Sequence, residues 1–282
     1  MDRVIPGTLT LVGTPIGNLS DLSPRALEAL QTCDFIAAED TRVTLKLLNH
    51  FGIVKPLISY FEHNKRERGQ VICDRLLRGE RGVLVTDAGM PAISDPGEEL
   101  VAQCHEQGIP VGVVPGPTAM ATALAVSGLP TGRFTFEGFL SVNKRTRREH
   151  LASLVQETRT MVFYEAPHKL AGTLSDLYET LGDRPLALVR ELTKIHEEII
   201  RTTLGEAVTR YGAEGEAPRG EFVVIVGGAA PVQRAPATPE EALDIARQYV
   251  AQGVSPSEAA RRAAADTGCR KGEIYRLLTR GE

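Results

Sequence analysis

Acidic and basic side chains stand together in short strings that each follow an apolar run. Residues 38–42 read AEDTR, and residues 62–68 read EHNKRER. An acid or a histidine in such a string could take a proton from a substrate, and a lysine or arginine could bind a phosphate group. Mixed charge usually forms surface ion pairs, but a position after an apolar strand favours a functional interpretation, because ligands bind outside strand ends.

Two further strings of this kind lie in the second half of the chain. Residues 163–170 read FYEAPHKL and residues 190–198 read RELTKIHEE. Neither His168 nor His196 has a cysteine or a second histidine at the spacing of a metal site, so we expect no metal. Our candidate catalytic residues, acting as bases or orienting acids, are Glu62, Asp87 and Glu165. The sequence does not rank these three against each other or against the nearby histidines.

Three loops rich in glycine and proline carry few charges. They are residues 13–18 (GTPIGN), 87–97 (DAGMPAISDPG) and 115–119 (PGPTA). Glycine and proline fix the direction of the backbone and leave its amides and carbonyls to face a ligand, which suits an adenine edge or an amino-acid group. Neither GxGxxG nor GxxxxGK[ST] occurs at a strand–helix junction, which disfavours dinucleotide and nucleoside triphosphate binding. A single such loop could be a surface turn, but three together favour a site.

Five apolar runs in the first part of the chain predict strands, and each leads into one of these strings or loops. The runs are LTLVG from Leu9, FIAA from Phe35, LISYF from Leu57, GVLVT from Gly82 and VGVV from Val111. Helices between them, such as the one that Ser23 and Pro24 would begin, give an alternation typical of a parallel sheet. The carboxyl ends of parallel strands meet at one edge, so we expect the five loops to line one cleft.

A second α/β half has fewer helices between its strands. Apolar runs predict strands near residues 134–140, 160–164, 186–190, 199–204 and 221–227. Because some of these strands follow each other closely, a mixed sheet with antiparallel pairs is expected. We place the boundary near Pro117, which gives an amino-terminal α/β domain at 1–117 and a carboxyl-terminal α/β domain at 118–228.

A helical tail follows a linker. Residues 229–238 are small residues and prolines without a periodic apolar pattern, which is typical of a linker. Residues 239–282 resemble a helix-turn-helix, with capping boxes predicted at 238–241 and 255–258 and a helix end at Gly253. The last part of the tail is net basic, whereas the whole chain carries a charge of −4. RNA binding fits this tail, and so does a docking or dimerisation role.

The composition is globular and excludes several classes of protein. In 282 residues, 42% of them apolar, no apolar stretch is long enough for a membrane helix, and the amino terminus lacks a secretory pattern. The four cysteines form no CxxC and are expected to be reduced and mostly buried, so we expect a cytoplasmic protein. The charge disfavours a wholly basic nucleic-acid binder. A local patch is still possible at the basic run 144–148, although a solvated helix face is its default interpretation.

Taken together, the strings resemble the tetrapyrrole methylase superfamily, and more closely its branch that methylates ribose 2′-oxygens in small-subunit ribosomal RNA. Eight ordered strings that cover nearly the whole chain carry the resemblance: LVGTPIGNLSD, AAEDTR, SYFEHN, VTDAGMPAISDPG, VVPGPTA, FYEAPHKL, RELTK and GEFVVIVGG. The helical tail matches the extra helix-turn-helix domain of this branch.

The resemblance implies a fold, a cofactor, an acceptor and an assembly. The fold is two α/β domains, the first with a parallel and the second with a mixed sheet, with the cofactor cleft between them and a helix-turn-helix-like tail. The cofactor is S-adenosylmethionine, and the acceptor is a cytidine ribose in the decoding region of 16S ribosomal RNA, in the 30S subunit or free. A homodimer is also implied. The alternatives are methylation of a porphyrin-like carbon and RNA binding without catalysis.

Two sets of candidate binding residues follow from these strings. The cofactor-binding candidates are Pro15, Asp87, Gly89, Met90, Ser94, Pro115, Gly116, Thr118, Ala119 and Tyr164. The RNA-binding candidates are Arg42, His63, Asn64, Lys65, Arg66, Lys144, Arg145, Arg147, Arg148, Arg270 and Lys271. The first set offers mainly backbone and small side chains, and the second offers positive charge for phosphate.

Overall fold

The computed structural model describes residues 5–212, 215–230 and 238–279. Contacts between residues divide the chain into two compact units, Met1–Ala229 and Ala230–Glu282. The described residues of the first unit form two five-stranded sheets with helices, and those of the second form helices alone. The prediction of two α/β halves followed by a helical tail is confirmed.

A parallel sheet forms the amino-terminal half of the first unit. Its strands are β1 (Leu9–Val12), β2 (Phe35–Ala38), β3 (Leu57–Ser59), β4 (Gly82–Val85) and β5 (Val111–Val114). They lie in the order β3-β2-β4-β1-β5, and every pair is parallel. Strands β2 and β4 are buried on both faces, which explains why they read as unbroken apolar runs. The loops that follow all five strands therefore leave the same edge of the sheet.

Four helices connect these strands. They are α1 (Pro24–Thr32), α2 (Thr41–His50), α3 (Lys65–Leu77) and α4 (Glu98–Glu106), with a short 3-10 turn at Leu19–Asp21. Helix α1 begins as predicted, because the Ser23 hydroxyl accepts a hydrogen bond from the Ala26 N–H at 3.1 Å. The Asp40 carboxylate accepts from the Arg42 N–H at 2.8 Å and begins α2 in the same way.

A mixed sheet forms the other half of the first unit. Its strands are β6 (Phe134–Phe139), β7 (Thr160–Glu165), β8 (Pro185–Arg190), β9 (Glu198–Thr203) and β10 (Phe222–Val226). The order is β6-β7-β10-β8-β9, with β6 parallel to β7 and the other pairs antiparallel. The register of β6 shifts between Phe136 and Gly138, so this edge strand carries a bulge.

Helices α5 (Ala119–Val126), α6 (Lys144–Ser153), α7 (Pro167–Leu181) and α8 (Leu204–Tyr211) accompany this sheet. Helix α7 buries Leu170, Leu174 and Leu177 in the core of this half. The spacing of these leucines places them on one face of the helix. Full burial of each leucine contributes about 1.5–3 kcal/mol, so this face anchors α7 behind the strand end of β7.

The two sheets share a small apolar core. Ile16, from the loop after β1, is buried in one cluster with Leu124 of α5 and with Val189 and Val223 of the second sheet. A residue of the first sheet's edge therefore packs into the second sheet's face. This contact holds the loops of the first sheet against the second half of the unit.

Two glycine backbones touch at the edge of the first sheet. A Cβ built on Gly13 would lie 2.6 Å from the Cα of Gly116 and 2.7 Å from the Sδ of Met90, and a Cβ on Gly116 would lie 2.7 Å from the Cα of Gly13. Only glycine allows the loops after β1 and β5 to approach this closely. The contact explains Gly13 of GTPIGN and Gly116 of PGPTA by packing between two loops.

The helical unit contains α9 (Pro239–Ala251), α10 (Pro256–Thr267) and α11 (Lys271–Thr279). Its core consists mainly of small residues, such as Ala242, Ala246 and Ala263, around Ile274. The capping box at Thr238 and Glu241 is present, as predicted. Helix α9 ends before Gly253, and Gly268 ends α10 in the left-handed conformation.

The second predicted capping box is wrong. Ser255 precedes α10, but its side chain makes no cap hydrogen bond. The carboxylate of Glu258 is held instead by the guanidinium groups of Arg261, at 2.7 and 2.8 Å, and of Arg262, at 3.2 Å. Charge-assisted bonds to arginine replace the return bond to the backbone. Of the predicted linker 229–238, residues 231–237 lie outside the described residues.

We predict that Gly116→Ala lowers the free energy of unfolding of the protein by about 1–3 kcal/mol, because the new methyl group must push the Gly13 backbone away. Urea unfolding followed by circular dichroism measures this. Gly132→Ala is the matched control, since a Cβ there meets no atom within 4 Å. Equal stability of both variants would contradict the close approach.

Candidate active site

A cavity of about 580 Å³ lies between the two sheets of the first unit. The loops after β1, β2, β4 and β5 form one wall, and β6, β7, β8, β10 and the residues beside them form the other. The cavity thus opens at the carboxyl ends of the parallel strands, where the sequence places the cleft. Its lining residues are Ile16, Glu39, Asp87–Met90, Ile93–Asp95, Thr118, Ala119, Phe139, Tyr164–His168, Val189, Leu192 and Glu221–Val223.

The loop after β4, residues 87–97, is held in an unusual conformation. Besides Gly89 and Gly97, the non-glycine residues Ala92 and Ser94 have positive φ angles, of 68° and 65°. Such angles cost of the order of 1–3 kcal/mol each and persist where surrounding structure enforces them. Backbone hydrogen bonds between Thr14 and Gly89, at 2.9 and 3.1 Å, tie this loop to the loop after β1.

Carboxylates are the main polar groups of the cavity. They belong to Glu39, Asp87, Asp95, Glu165 and Glu221. The buried Thr86 hydroxyl donates to Glu39 at 2.6 Å, and the Asp40 N–H donates to Asp87 at 3.1 Å. None of the described residues in the lining is a lysine or an arginine.

Burial and neighbouring negative charges raise the pKa values of two of these acids. Burial, together with the nearby Glu39 carboxylate, raises the pKa of Asp95 to about 6. Partial burial and the carboxylates of Glu39 and Asp40 also raise the pKa of Asp87. Like charges and a low dielectric both disfavour the ionised form. A positively charged ligand would relieve this repulsion.

Glu165, at the end of β7, is buried and fixed. Its carboxylate accepts hydrogen bonds from the Thr173 hydroxyl of α7 and from the Ala166 N–H at 2.9 Å. Arg147 of α6 donates to the same Thr173 oxygen at 2.9 Å and pairs with Asp176 at 2.5 Å. A continuous chain of hydrogen bonds thus links a side chain of the basic run to the cavity wall.

Tyr164 forms an aromatic corner of the cavity. Its phenol oxygen accepts a hydrogen bond from the Met120 N–H at 2.9 Å, in the first turn of α5. Its ring meets those of Phe136 and Phe139 edge to face, with centroids 5.0 and 5.5 Å apart. Apolar walls beside carboxylates suit a ligand with an apolar body and a positive charge, and they oppose a phosphate-bearing ligand.

The chain is similar to known proteins over most of its length. Residues 8–208 match the family described as Tetrapyrrole (Corrin/Porphyrin) Methylases. A protein of Synechocystis sp. named ribosomal RNA small subunit methyltransferase I is 50% identical over 96% of this chain and 97% of its own length. A protein of the same name from Thermotoga maritima is 48% identical over 79% of this chain and 99% of its own length.

This chain belongs to the tetrapyrrole methylase family, in the branch named ribosomal RNA small subunit methyltransferase I.

Solved structures of tetrapyrrole methylases and a related enzyme share the fold. A diphthine synthase has a TM-score of 0.61 and 15% identity, with 78% of this chain and 90% of that chain covered. A uroporphyrin-III-C-methyltransferase from Thermus thermophilus has a TM-score of 0.56 and 21% identity, with 78% and 94% covered. At these identities the likeness concerns the fold alone.

Most cofactor-binding candidates from the sequence line the cavity of this methylase. They are Asp87, Gly89, Met90, Ser94, Thr118, Ala119 and Tyr164. Pro15, Pro115 and Gly116 are outside the lining. For Gly116 the reason is its contact with Gly13, which places its backbone against another loop. Binding of a cofactor by these residues stays a prediction.

The loop after β3 is outside this cavity, in contrast to the expectation that all five loops line it. Glu62 lines a separate cavity of about 380 Å³ with Lys65, Asp95, Pro96–Glu99 and Ala102. Its carboxylate pairs with Lys65 at 2.7 Å, and Lys65 also contacts Glu99 at 3.3 Å. Asp87 and Glu165 line the main cavity, so the structure brings together only two of the three candidate acids.

The RNA-binding candidates divide into exposed and engaged side chains. Arg42, Arg66, Lys144, Arg145 and Arg148 are exposed on the first unit, as are Arg270 and Lys271 on the second and His63 beside Phe61. Arg147 is mostly buried in the pair with Asp176, so it is poorly placed for phosphate. Asn64 folds its own loop by accepting from the Phe61 N–H and donating to the Ser59 carbonyl.

Glu39 and Asp95 were not among the site residues expected from sequence. Both lie in strings that the strand-end rule had singled out, AEDTR and DAGMPAISDPG. The same rule could therefore have included them. Among the described residues, no cluster of three or more potential metal ligands is found, and none of the helices has the length and apolar run that crossing a bilayer requires.

We predict that Thr173→Val lowers the free energy of unfolding by about 1–3 kcal/mol, because the buried Glu165 carboxylate and Arg147 both lose a partner. Thermal or urea unfolding measures the change. Thr209→Val, on an exposed face of α8, removes only a hydroxyl bonded within its own helix and serves as the control. Identical losses in the two variants would contradict the importance of the chain from Arg147 to Glu165.

Proposed function

We propose that the protein is an S-adenosylmethionine-dependent methyltransferase that acts on the 2′-hydroxyl of a cytidine ribose in the decoding region of 16S ribosomal RNA. The observation that carries the proposal is the carboxylate-lined, partly apolar cavity at the strand ends of a methylase fold. The relatives named for small-subunit ribosomal RNA methylation, 42–50% identical, support RNA as the acceptor.

The charges and polar groups of the cavity lining support S-adenosylmethionine as the cofactor. This compound carries a sulfonium and an ammonium group against one carboxylate, and Glu39 and Asp87 offer compensating negative charge. The left-handed backbone at Gly89, with Ser94, Thr118 and Ala119, offers polar groups for the nucleoside and amino-acid portions. When bound, the compound supplies an electrophilic methyl group for in-line transfer to an oxygen.

Exposed arginines and lysines would position the RNA. Arg42 and Arg66 stand in the first turns of α2 and α3, directly after strand ends of the first sheet, and Lys144, Arg145 and Arg148 stand on α6. Phosphate contacts of this kind supply affinity with little sequence preference. Arg270 and Lys271 would do the same on the helical unit, for which docking or dimerisation is the other role. We include in the proposal a homodimer, a cytoplasmic location and the 30S subunit as substrate.

The residues of the chain would act mainly by alignment. Holding the acceptor oxygen against the reacting methyl can supply roughly 7–11 kcal/mol. A positioned carboxylate that takes the hydroxyl proton adds about 10²–10⁴-fold, and the cavity offers several acids for this role. Its apolar walls would exclude water during the reaction.

Methylation of a porphyrin-like carbon is the alternative within the same fold. The acidic side chains of such a ring need arginines or lysines for recognition. The described lining offers acids instead, and His168 is its single imidazole. The lining therefore favours a cationic ligand and a substrate that reaches the cavity from outside.

The proposed function is tested by binding and by transfer. Titration calorimetry should show binding of S-adenosylmethionine and no comparable binding of NAD or ATP, since the lining opposes phosphate. Labelled methyl groups should then appear on ribose in assembled small subunits or in free RNA. Binding of NAD without a response to S-adenosylmethionine would overturn the proposal, and cofactor binding without transfer would favour a non-enzymatic assembly role.

We predict that Arg66→Ala weakens binding of small-subunit RNA at all sequences and makes the affinity less dependent on salt, with the slope of log affinity against log salt reduced by about one. The side chain of Arg66 is 93% exposed. Arg78→Ala, at the other end of α3, removes an exposed arginine that pairs with Glu80 and is the control. An unchanged slope for Arg66→Ala would exclude a phosphate contact.

We predict that deletion of residues 230–282 leaves a folded first unit that still binds S-adenosylmethionine, because the cavity belongs to that unit alone. The Thermotoga maritima relative supports this, since 79% of this chain matches almost its whole length. RNA affinity and its salt dependence should fall if the helical unit binds phosphate. Unchanged RNA binding would favour the docking or dimerisation role.

A further inference from the structure

Asp95 stands where two cavities meet. It lines the cavity of about 580 Å³ between the sheets and also the cavity of about 380 Å³ beside Glu62 and Lys65. Among the described residues, it is the one side chain common to these two linings. A group in this position borders the space proposed for the cofactor on one side and a space open to an incoming substrate on the other.

The other carboxylates of the main cavity are already engaged. Glu165 accepts two hydrogen bonds, from the Thr173 hydroxyl and the Ala166 N–H. Glu221 pairs with Lys194 at 2.8 Å, and Asp87 accepts from the Asp40 N–H. Each of these bonds already uses part of the acceptor capacity of its carboxylate.

In the described part of the chain, the one hydrogen-bond donor near the Asp95 carboxylate is shared with Glu39. It lies within hydrogen-bonding reach of the Thr86 hydroxyl, which has a single proton. That proton points to Glu39 through the contact of 2.6 Å. Asp95 is therefore left with acceptor capacity that an incoming hydroxyl group could fill.

The backbone fixes the direction of this side chain. Ala92 and Ser94 precede it in the left-handed conformation, and Pro96 disfavours a helical backbone conformation at Asp95. On the second sheet, Gly138 at the bulge of β6 approaches the Ser94 side chain, at 3.6 Å from a built Cβ. A strained loop held from both sides is preorganised, which favours a catalytic position over a flexible surface acid.

The surroundings make this acid a stronger base than usual. Burial and the Glu39 carboxylate raise the pKa of Asp95 to about 6, with Asp87 adding to the effect. Tyr164 faces it from β7, and Lys65 and Glu99 face it across the outer cavity. A carboxyl group with this pKa is ionised at neutral pH and binds a proton more readily than an ordinary aspartate.

We propose that Asp95 is the catalytic base that takes the proton from the acceptor hydroxyl, an assignment that rests on the proposed methyltransferase function. As the hydroxyl oxygen forms its bond to the methyl carbon, the bond from that carbon to sulfur breaks and its electron pair stays on sulfur. The hydroxyl proton passes to an Oδ atom of Asp95. The positive charge of the sulfonium is thereby neutralised, and the released product is a neutral thioether.

The test compares single-turnover methyl transfer at saturating RNA and S-adenosylmethionine as a function of pH. The wild-type rate should rise with pH and level off by about pH 6, because the base acts in its ionised form above its pKa and the bound sulfonium favours that form. Asp95→Asn should lower the plateau rate by about 100-fold or more and remove this rise, while calorimetry shows S-adenosylmethionine binding within a few-fold of wild type. Glu106→Gln, which removes an exposed acid of α4 outside both cavity linings, is the control and should keep the wild-type profile.

Two further measurements do not depend on the Asn variant. Carbon-13 NMR should show the Asp95 carboxyl titrating near pH 6 in the free protein and, in the complex with S-adenosylmethionine, at the pH where the rate rises. Asp95→Glu keeps a carboxylate and should retain a pH-dependent rate above that of Asp95→Asn. A flat profile for Asp95→Glu, or a titration far from the kinetic one, would overturn the assignment.

The remaining outcomes separate the assignment from the proposed function. If the wild type transfers methyl groups and Asp95→Asn reacts equally fast, Asp95 is not the base, and the proposed function still holds. If Asp95→Asn loses S-adenosylmethionine binding, Asp95 is a cofactor ligand and the assignment is wrong. If the wild type transfers no methyl group to small-subunit RNA, both fail together.

Discussion

The contact between the backbones of Gly13 and Gly116 sets the geometry of the cavity. It joins the loops after β1 and β5, which are neighbours at one side of the parallel sheet. With these loops in contact, the chain after β1 reaches Gly89 through backbone hydrogen bonds and buries Ile16 in the second sheet's core. The loop after β4 is thereby pressed between the two halves, which accounts for its left-handed residues. A side chain at either glycine would separate these loops.

The second constraint is electrostatic. Five carboxylates share a cavity whose lining holds no lysine or arginine among the described residues. Burial and the like charges of neighbouring acids both disfavour the ionised form, and the raised pKa values of Asp87 and Asp95 reflect this cost. A cationic ligand would lower the cost, so ligand binding and stability of the unit should be coupled. Such a site lowers the stability of the ligand-free protein and favours ligands that carry a positive charge.

Acids and bases occupy separate regions of the first unit. The acids line the cavity, whereas Arg42, Arg66 and the exposed residues of α6 face solvent. Arg147 connects the two regions, because it belongs to the basic run 144–148 but donates a hydrogen bond to the Thr173 hydroxyl, which in turn donates to Glu165. This division suits a reaction in which a compact cationic donor is buried and a large polyanion stays outside.

The sequence by itself determined the elements and their order. Apolar runs, the Ser23 and Thr238 caps and the terminal glycines predicted the parallel sheet, the mixed sheet and the helical tail, because burial and local hydrogen bonding act within a few residues. The strings that the strand-end rule singled out also contain most residues that line the cavity. Sequence rules of this kind predict an interaction correctly where a side chain has only one partner within reach along the chain.

The tertiary structure decided which side chains meet. Glu62 entered a separate cavity, Gly116 served loop packing, Arg147 turned inwards, and Asp95 took a place between two cavities. Glu258 was within reach of a cap and of two arginines, and the stronger charge-assisted bonds prevailed over the capping box. Each of these outcomes depends on distances between residues far apart in sequence or on competition between partners. Spacing along the chain does not contain that information, because it fixes neighbours within an element and leaves the approach of separate elements to packing.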